Sequence, residues 1–424
     1  MTNRELLQQV RVLDPLFGTD RVADVLIVDG VIQAIEDKIY QWPHDTSVRD
    51  CSGLILAPGL VDLYSHSGEP GFEERETLIS LSQAAASGGF TRLAILPDTA
   101  PAIDNPAALA RLQKLSLPLS PAPILHFWGA LTLGAKGEEM TELAELSSAG
   151  VVGFADGKPL SNLALLRRLL EYLQPWGKPV ALWCCDRQLT GNGVMREGSD
   201  SIVCGLPGNP AMSETAAIAA LLEMVEAIGT SVHIMRVSTS RGVELIQQAK
   251  QRGLPVTAST TWMHLLLDTE AVISYNPSLN IQPPLGNPSD RVALRQGVKE
   301  GILDAIAIDH TPYTYEEKTV AFSEAPPGAI GLELALPLLW ENLVETGEWS
   351  AIELWRALST RAAECLKQIP PSIAPSQPAE MILFAPQQTW TVEKQTLKSL
   401  SNNTPWLGQQ LKGCVLQTWI DRVV

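Results

Sequence analysis

Short apolar and β-branched runs recur along the chain between longer stretches with the 3.6-residue period of amphipathic helices. The runs at 59–66 (GLVDLYSH), 91–96 (TRLAIL), 122–129 (APILHFWG), 150–155 (GVVGFA), 178–184 (KPVALWC), 231–238 (SVHIMRVS), 254–260 (LPVTAST) and 303–309 (LDAIAID) predict eight strands. Helical periodicity fills the spaces between them at 76–89, 105–115, 140–150, 162–177, 213–229, 241–253 and 288–301, and several of these segments end in Gly, as a helix C-cap does. Strand and helix alternating eight times over roughly 250 residues is the signature of a (β/α)8 TIM barrel, with chemistry at the C-terminal ends of its strands. The fold class expected is α/β.

Both ends of the chain break the alternation. Residues 1–55 (VRVLDPLFG, ADVLIVDGVIQAI) and 375–424 (AEMILFAP, TWTVEK, LKGCVLQTWI) read as short alternating strands with turn residues. They are expected to meet as a composite β-sandwich domain beside a barrel of residues 56–374, since chain termini often lie close together. The Pro-rich 369–378 (IPPSIAPSQP) is the connection back.

Composition narrows the class. A chain of 424 residues buries a large core without staples. With 47 acidic against 31 basic residues and a net charge of −16, neither nucleic acid nor an anionic membrane is an expected partner. The six cysteines form no CxxC pair and no regular framework, which suits a reducing cytoplasm. No signal peptide and no membrane-spanning run is expected.

The stretch 58–71, PGLVDLYSHSGEPG, places Asp62, Tyr64 and His66 on one face of a strand, the layout of a metal-binding HxH strand with Tyr in the first place. Six blocks occur in order: DxxxHxxEPGFEERET, AAASGGFTRLAILPDTAP, GVMREG, VSTSRGVELIQQAKQRGLPVTAS, AIDHTPYTYEEK and LSNNTPWLGQQLKG. Together they resemble dihydroorotase of the amidohydrolase superfamily, essentially end to end. The resemblance implies a metal-dependent barrel that closes carbamoyl-aspartate to dihydroorotate in pyrimidine synthesis.

Carried over residue by residue, the implied site is largely replaced. The family's first strand reads DxHxHxRxPG, with two metal imidazoles and an arginine for a substrate carboxylate; here those places hold Tyr64, His66 and Gly68. A phenol is a weak zinc ligand at neutral pH, and glycine has no fork for a carboxylate. Asp98 stands for the Asn of PNT and puts a negative charge where an anionic substrate binds. The strand-five motif HxED reads WCCD, so Trp183 and Cys185 replace an imidazole and an acid, and tryptophan has no lone pair for a metal. In strand six Arg236 replaces a ligand histidine while His233 remains. Asp156 is kept in a strand-four block one residue short, and Asp309, metal ligand and proton shuttle in the resemblance, is kept in a strand-eight block whose closing His is Tyr313. Polar contacts are also lost at Asn280, Gln282 and Gly286.

The substitutions make joint physical sense. Without an ion, buried carboxylates near Asp309, Asp156 and His66 are costly, and Arg236 supplies a covalently attached positive charge. Trp183 and Tyr64 fill the vacated volume, and Trp183 can stack on Arg236. Cys184 and Cys185 point to opposite faces of a strand, so only one can enter the barrel. His126, His233 and His264 read as structural, and His44 lies in a polar stretch.

Two readings stand open, beside a small-molecule sensor that uses the altered pocket. One is a non-catalytic dihydroorotase homologue with a structural or regulatory role in a homo- or hetero-oligomer, the resemblance suggesting aspartate transcarbamoylase as partner; no cofactor is expected. The other is an active dihydroorotase or other cyclic amide hydrolase with zinc on a reduced set of His66, Asp156 and Asp309.

Overall fold

The computed structural model describes residues 4–117 and 123–420. Ala122, the first residue of one expected strand, and the outermost residues of both termini lie outside these.

Leu60–Ser65, Phe90–Ile95, Ile124–Gly129 and Gly153–Phe154 form one four-stranded parallel sheet, and Ala181–Trp183, Val232–Met235, Val256–Thr261 and Ala305–Ala307 form a second. A parallel bridge between Phe154 and Val180 joins the sheets at one edge. At the other, the Asp309 amide donates to the Tyr64 carbonyl (3.1 Å) and the His66 amide to that of His310 (2.9 Å). The two sheets therefore meet at both edges, as in a (β/α)8 barrel, and all eight expected strands are present.

The local sequence accounts for the elements. Leu60–Ser65 is buried along its whole length, as a strand covered on both faces must be. Helix Leu78–Ser87 starts at Thr77, whose hydroxyl accepts from the Ser80 amide in a capping box. Helix Pro106–Ser116 has Asn105 as cap and Pro in its first turn, and Met212–Ile228 ends on left-handed Gly229. Helices Ala335–Leu339, Ala351–Trp355 and Arg361–Cys365, after the eighth strand, were not among the expected elements. Ala362, Ala363, Cys365 and Leu366 pack against Val61, Leu63, Trp128 and Met235 in the barrel interior.

The terminal segments do meet. Arg4–Asp14, Thr19–Val28, Val31–Glu36, Ser47–Asp50, Ile55–Pro58, Met381–Thr391 and Gln410–Trp419 form one seven-stranded mixed sheet. A sandwich was expected; six of these strands follow one hydrogen-bonded path, and Ser47–Asp50 branches off it against Arg4–Asp14. Register shifts between Leu7 and Val10 and between Ala385 and Thr389 bend its long strands, so one curled sheet encloses its own core of Val10, Val25, Ile27 and Leu383. The sheet also runs on through Pro58, because Ile55–Phe384 and Leu56–Leu383 are paired. It is tied to the barrel by Arg92, whose Nε and Nη2 each donate to Glu380 at 2.7 Å.

Candidate functional site

The strand ends named by the sequence converge on a cleft of about 210 Å³ at the barrel mouth, with His66, Asp98, Trp183, Arg236, Asp309 and Tyr313 in its wall. Arg236 follows the strand Val232–Met235 and Asp309 the strand Ala305–Ala307, and both have left-handed backbone, φ 56° and 53°. Non-glycine residues adopt that conformation at a cost, commonly where a side chain must be aimed.

Arg236 is the centre of the arrangement. Its Nε donates to Asp309 Oδ2 at 2.8 Å and its Nη2 to Oδ1 at 2.5 Å, a two-pronged charge-assisted pair. Nη1 donates to the Gly157 carbonyl at 2.9 Å. The guanidinium carbon lies 4.8 Å from the Trp183 ring centroid and 5.5 Å from that of Tyr64. Tyr64, fully buried, accepts from the Arg236 amide at 3.1 Å and lies 3.0 Å from Ser259 Oγ, so it supports the arginine it sits beside. Burial pushes the Tyr64 phenol up, away from the phenolate a metal would need.

His66 sits between two aspartates, with Nδ1 2.7 Å from Asp98 Oδ2 and Nε2 3.5 Å from Asp309 Oδ1. Burial works against a charge on the ring, but Asp98 and then Asp309 outweigh it and raise its pKa to about 9. Nε2 also lies 3.1 Å from Arg236 Nη2, a distance that suits a neutral ring accepting from arginine. The two readings conflict at Nε2. We take the protonated form near neutral pH, because two carboxylates flank one imidazole, and in it histidine and arginine share Asp309 as acceptor. Burial raises the Asp309 carboxyl, yet Arg236 and His66 together bring it down to about 2. The charges of Asp98, Asp309, His66 and Arg236 then cancel.

The other expected residues fall into place unevenly. Asp156 does not pair with Arg236; its Oδ1 accepts from the Leu131 and Thr132 amides (2.8 and 3.0 Å) and its Oδ2 from the Thr132 hydroxyl (2.6 Å). It lies two residues past the short strand Gly153–Phe154 and is turned onto the neighbouring loop. Asp98 was expected as a bare charge facing an anionic substrate, but His66 engages it. Gly68 lines the cleft, and a Cβ there would overlap the Phe72 and Glu76 carbonyls, so a tight turn has closed over the position where the resemblance puts an arginine. Cys185 lies 3.3 Å from Thr190 Oγ1 and Cys184 is buried in the core; neither lines this cleft. Asn280 is structural, donating to the Phe322 and Ala325 carbonyls. His233, held by Thr257 and Ser259, and His126, beside Gln368, are lowered by burial to about 3 and about 4.

Sequence reading missed Arg75, which stacks over Tyr313 (4.8 Å) and Phe72 (4.2 Å) and pairs with Glu317. It also missed the buried Glu76, which accepts from the Leu400 amide and from Ser399 and lies 3.3 Å from His310 Nε2. Both residues belong to the EERET block, but their partners are hundreds of residues away and no spacing announces them.

A divalent ion would need about three inward-facing donors with free lone pairs. Here a guanidinium stands between His66 and Asp309, Trp183 has no lone pair to give, and Asp156 faces elsewhere. The residues present do not fit such an ion, and among the described residues no group of three or more His, Cys, Asp or Glu is placed to hold one.

A family model described as dihydro-orotase-like matches residues 53–242. A probable dihydroorotase-like protein of Synechocystis sp. is 48% identical over 436 residues, covering 96% of this chain and 98% of its own. Dihydroorotases of Syntrophus aciditrophicus and Pelotomaculum thermopropionicum are 37% and 38% identical, over 98% and 96% of this chain and 97% and 95% of theirs. Among solved structures, L-hydantoinase (dihydropyrimidinase) from Arthrobacter aurescens superposes with a TM-score of 0.84 over 100% of this chain and 98% of its own at 20% identity, a likeness of fold. Full-length identity at this level, together with the barrel and the order of its blocks, places the chain in the dihydroorotase-like family.

Proposed function

We propose that this chain is a dihydroorotase-like protein that does not turn over dihydroorotate and instead has a structural or regulatory role in pyrimidine synthesis. The observation that supports this most is the bidentate Arg236–Asp309 pair beside His66, a fixed cation where the resemblance implies an ion. In this reading Asp309 is idle as a proton shuttle, because its carboxylate is held by arginine and its pKa lies far below neutrality. No cofactor is required, and the partner is another copy of the chain or aspartate transcarbamoylase, in the cytoplasm.

The experiment is elemental analysis and turnover on the same preparation, purified without chelator. We expect well under one zinc per chain and no hydrolysis of dihydroorotate. One or more tightly held zinc ions, or turnover in the ordinary range of about 1 to 1000 per second, overturns the reading. A second reading, an active dihydroorotase or other cyclic amide hydrolase, is favoured by the full-length likeness to proteins named dihydroorotase. The same two measurements decide between them.

A further inference from the structure

Behind Trp183 lies a second cavity, of about 460 Å³, whose walls include Pro159, Pro283 and Pro327 and whose charged groups are Arg187, Arg196 and Glu214. A volume of this order suits a small molecule. It shares Trp183, Gln282 and Pro327 with the first cleft but contains none of His66, Asp98, Arg236 or Asp309.

Its hydrogen-bonding groups are unbalanced in one direction. Arg196 is 1% exposed and makes no ion pair among the described residues. Its Nη2 donates to Ser238 Oγ at 2.7 Å and its Nη1 reaches the Asn209 carbonyl at 3.4 Å, while Nε–H is buried without an acceptor. Trp183 Nε1–H is likewise buried without an acceptor. Glu214, the carboxylate in the wall, offers nothing in return: its oxygens accept from the Ser238 amide (3.0 Å), the Thr239 amide (3.1 Å) and hydroxyl (2.7 Å), and the Ser238 hydroxyl. Its charge offsets that of Arg196 without touching it, and Arg187, exposed in the wall and in no ion pair among the described residues, leaves the cavity with a positive excess.

We propose that this cavity binds a small monocarboxylate with an apolar body. The carboxylate would sit in the positive excess of Arg187 and Arg196, and the body would lie against the three prolines. Trp183 also stacks on Arg236, so occupancy of the cavity is transmitted to the residue at the centre of the first cleft. The proposal goes beyond the function proposed above and holds whether or not the chain hydrolyses a cyclic amide.

The test is calorimetric titration of the full chain with benzoate, with benzamide as neutral isostere and inorganic phosphate as an anion without an apolar body. Saturable benzoate binding in the millimolar range is expected, with benzamide and phosphate weaker on the order of tenfold or more, as one lost charge-assisted contact implies. Arg187→Gln, at an exposed position that does not threaten folding, should weaken benzoate. Cys185→Phe should abolish binding by filling the cavity, and Trp183→Phe should weaken it while keeping a ring against Arg236. No saturable benzoate binding, equal affinity for phosphate, or binding unchanged in both Arg187→Gln and a folded Cys185→Phe overturns the proposal.

Discussion

A guanidinium at the centre of a barrel differs from a metal ion in two ways that bear on every residue around it: no chelator removes it, and it cannot lower the pKa of a bound water. What it does supply is the counter-charge for Asp309. Arg236 has 4% of its side chain exposed and Asp309 14%. Breaking such a pair from one side costs about 3 to 5 kcal/mol when burial is complete, so with the residual exposure of Asp309 we expect Arg236→Ala to lose about 3 kcal/mol in urea unfolding. Arg236→Ala with Asp309→Ala should recover part of that loss, because neither charge is then left alone; a strictly additive pair would show that the two residues are not coupled. His66 gives a pH signature. Its folded pKa of about 9 lies above the roughly 6.5 of an unfolded histidine, so its contribution is fully present below about pH 6.5 and is lost as pH rises through 9. Unfolding free energy should fall by up to roughly 3 kcal/mol across that alkaline window. Asp98→Asn should flatten the slope, since Asp98 is the foremost cause of the raised value. For Asp309 the sign is opposite: its contribution is present above about pH 4 and is lost as pH falls through about 2.

At the scale of elements, the turn after the first barrel strand decides whether the site could be rebuilt. The Phe72 amide donates to the Gly68 carbonyl at 2.6 Å, and Glu69 accepts from the Leu78 amide at the start of the following helix. Restoring the pattern of the resemblance requires Tyr64→His, Trp183→His, Arg236→His and Gly68→Arg together, because such sites act as units. Gly68 is the obstacle, since any Cβ there meets backbone carbonyls that cannot swing aside. Gly68→Ala alone should therefore destabilise by about 1 to 3 kcal/mol, the usual range for overpacking, and be seen as a lower unfolding midpoint. A variant as stable as the parent would show that the turn yields easily.

For the whole molecule, the barrel and the terminal sheet are held by protein contacts, among them the Arg92–Glu380 pair, and by the packing of Ile382 and Phe384 into the main core. Stability should thus not depend on a metal: thermal midpoints with and without EDTA should coincide, and a drop of several degrees with chelator would reveal a structural ion. No helix of the described residues is long and apolar enough to cross a membrane. An assembly role predicts a species heavier than either component when the chain is mixed with aspartate transcarbamoylase, measured by light scattering after size-exclusion chromatography. Independent elution of the two at micromolar concentration would remove that partner.

The amino-acid sequence by itself determined the eight strands and seven of the helices between them, because a period of two or of 3.6 residues, read with a C-terminal Gly such as Gly229, is a local property of the chain. It also puts Tyr64, Trp183 and Arg236 where the resemblance implies metal ligands, since what a side chain can donate is a matter of its chemistry alone. Only the tertiary structure decided which acid meets the arginine: Asp309 does, Asp156 turns to Thr132, and Asp98 is taken by His66. It alone set Arg75 against Glu317 and Glu76 against Ser399, pairs separated by 242 and 323 residues, and opened a cavity behind Trp183. Periodicity reports which face of an element is buried, whereas contacts between distant elements depend on how each strand end turns after it leaves the sheet, and the left-handed backbone at Arg236 and Asp309 is one such turn that no residue type announces.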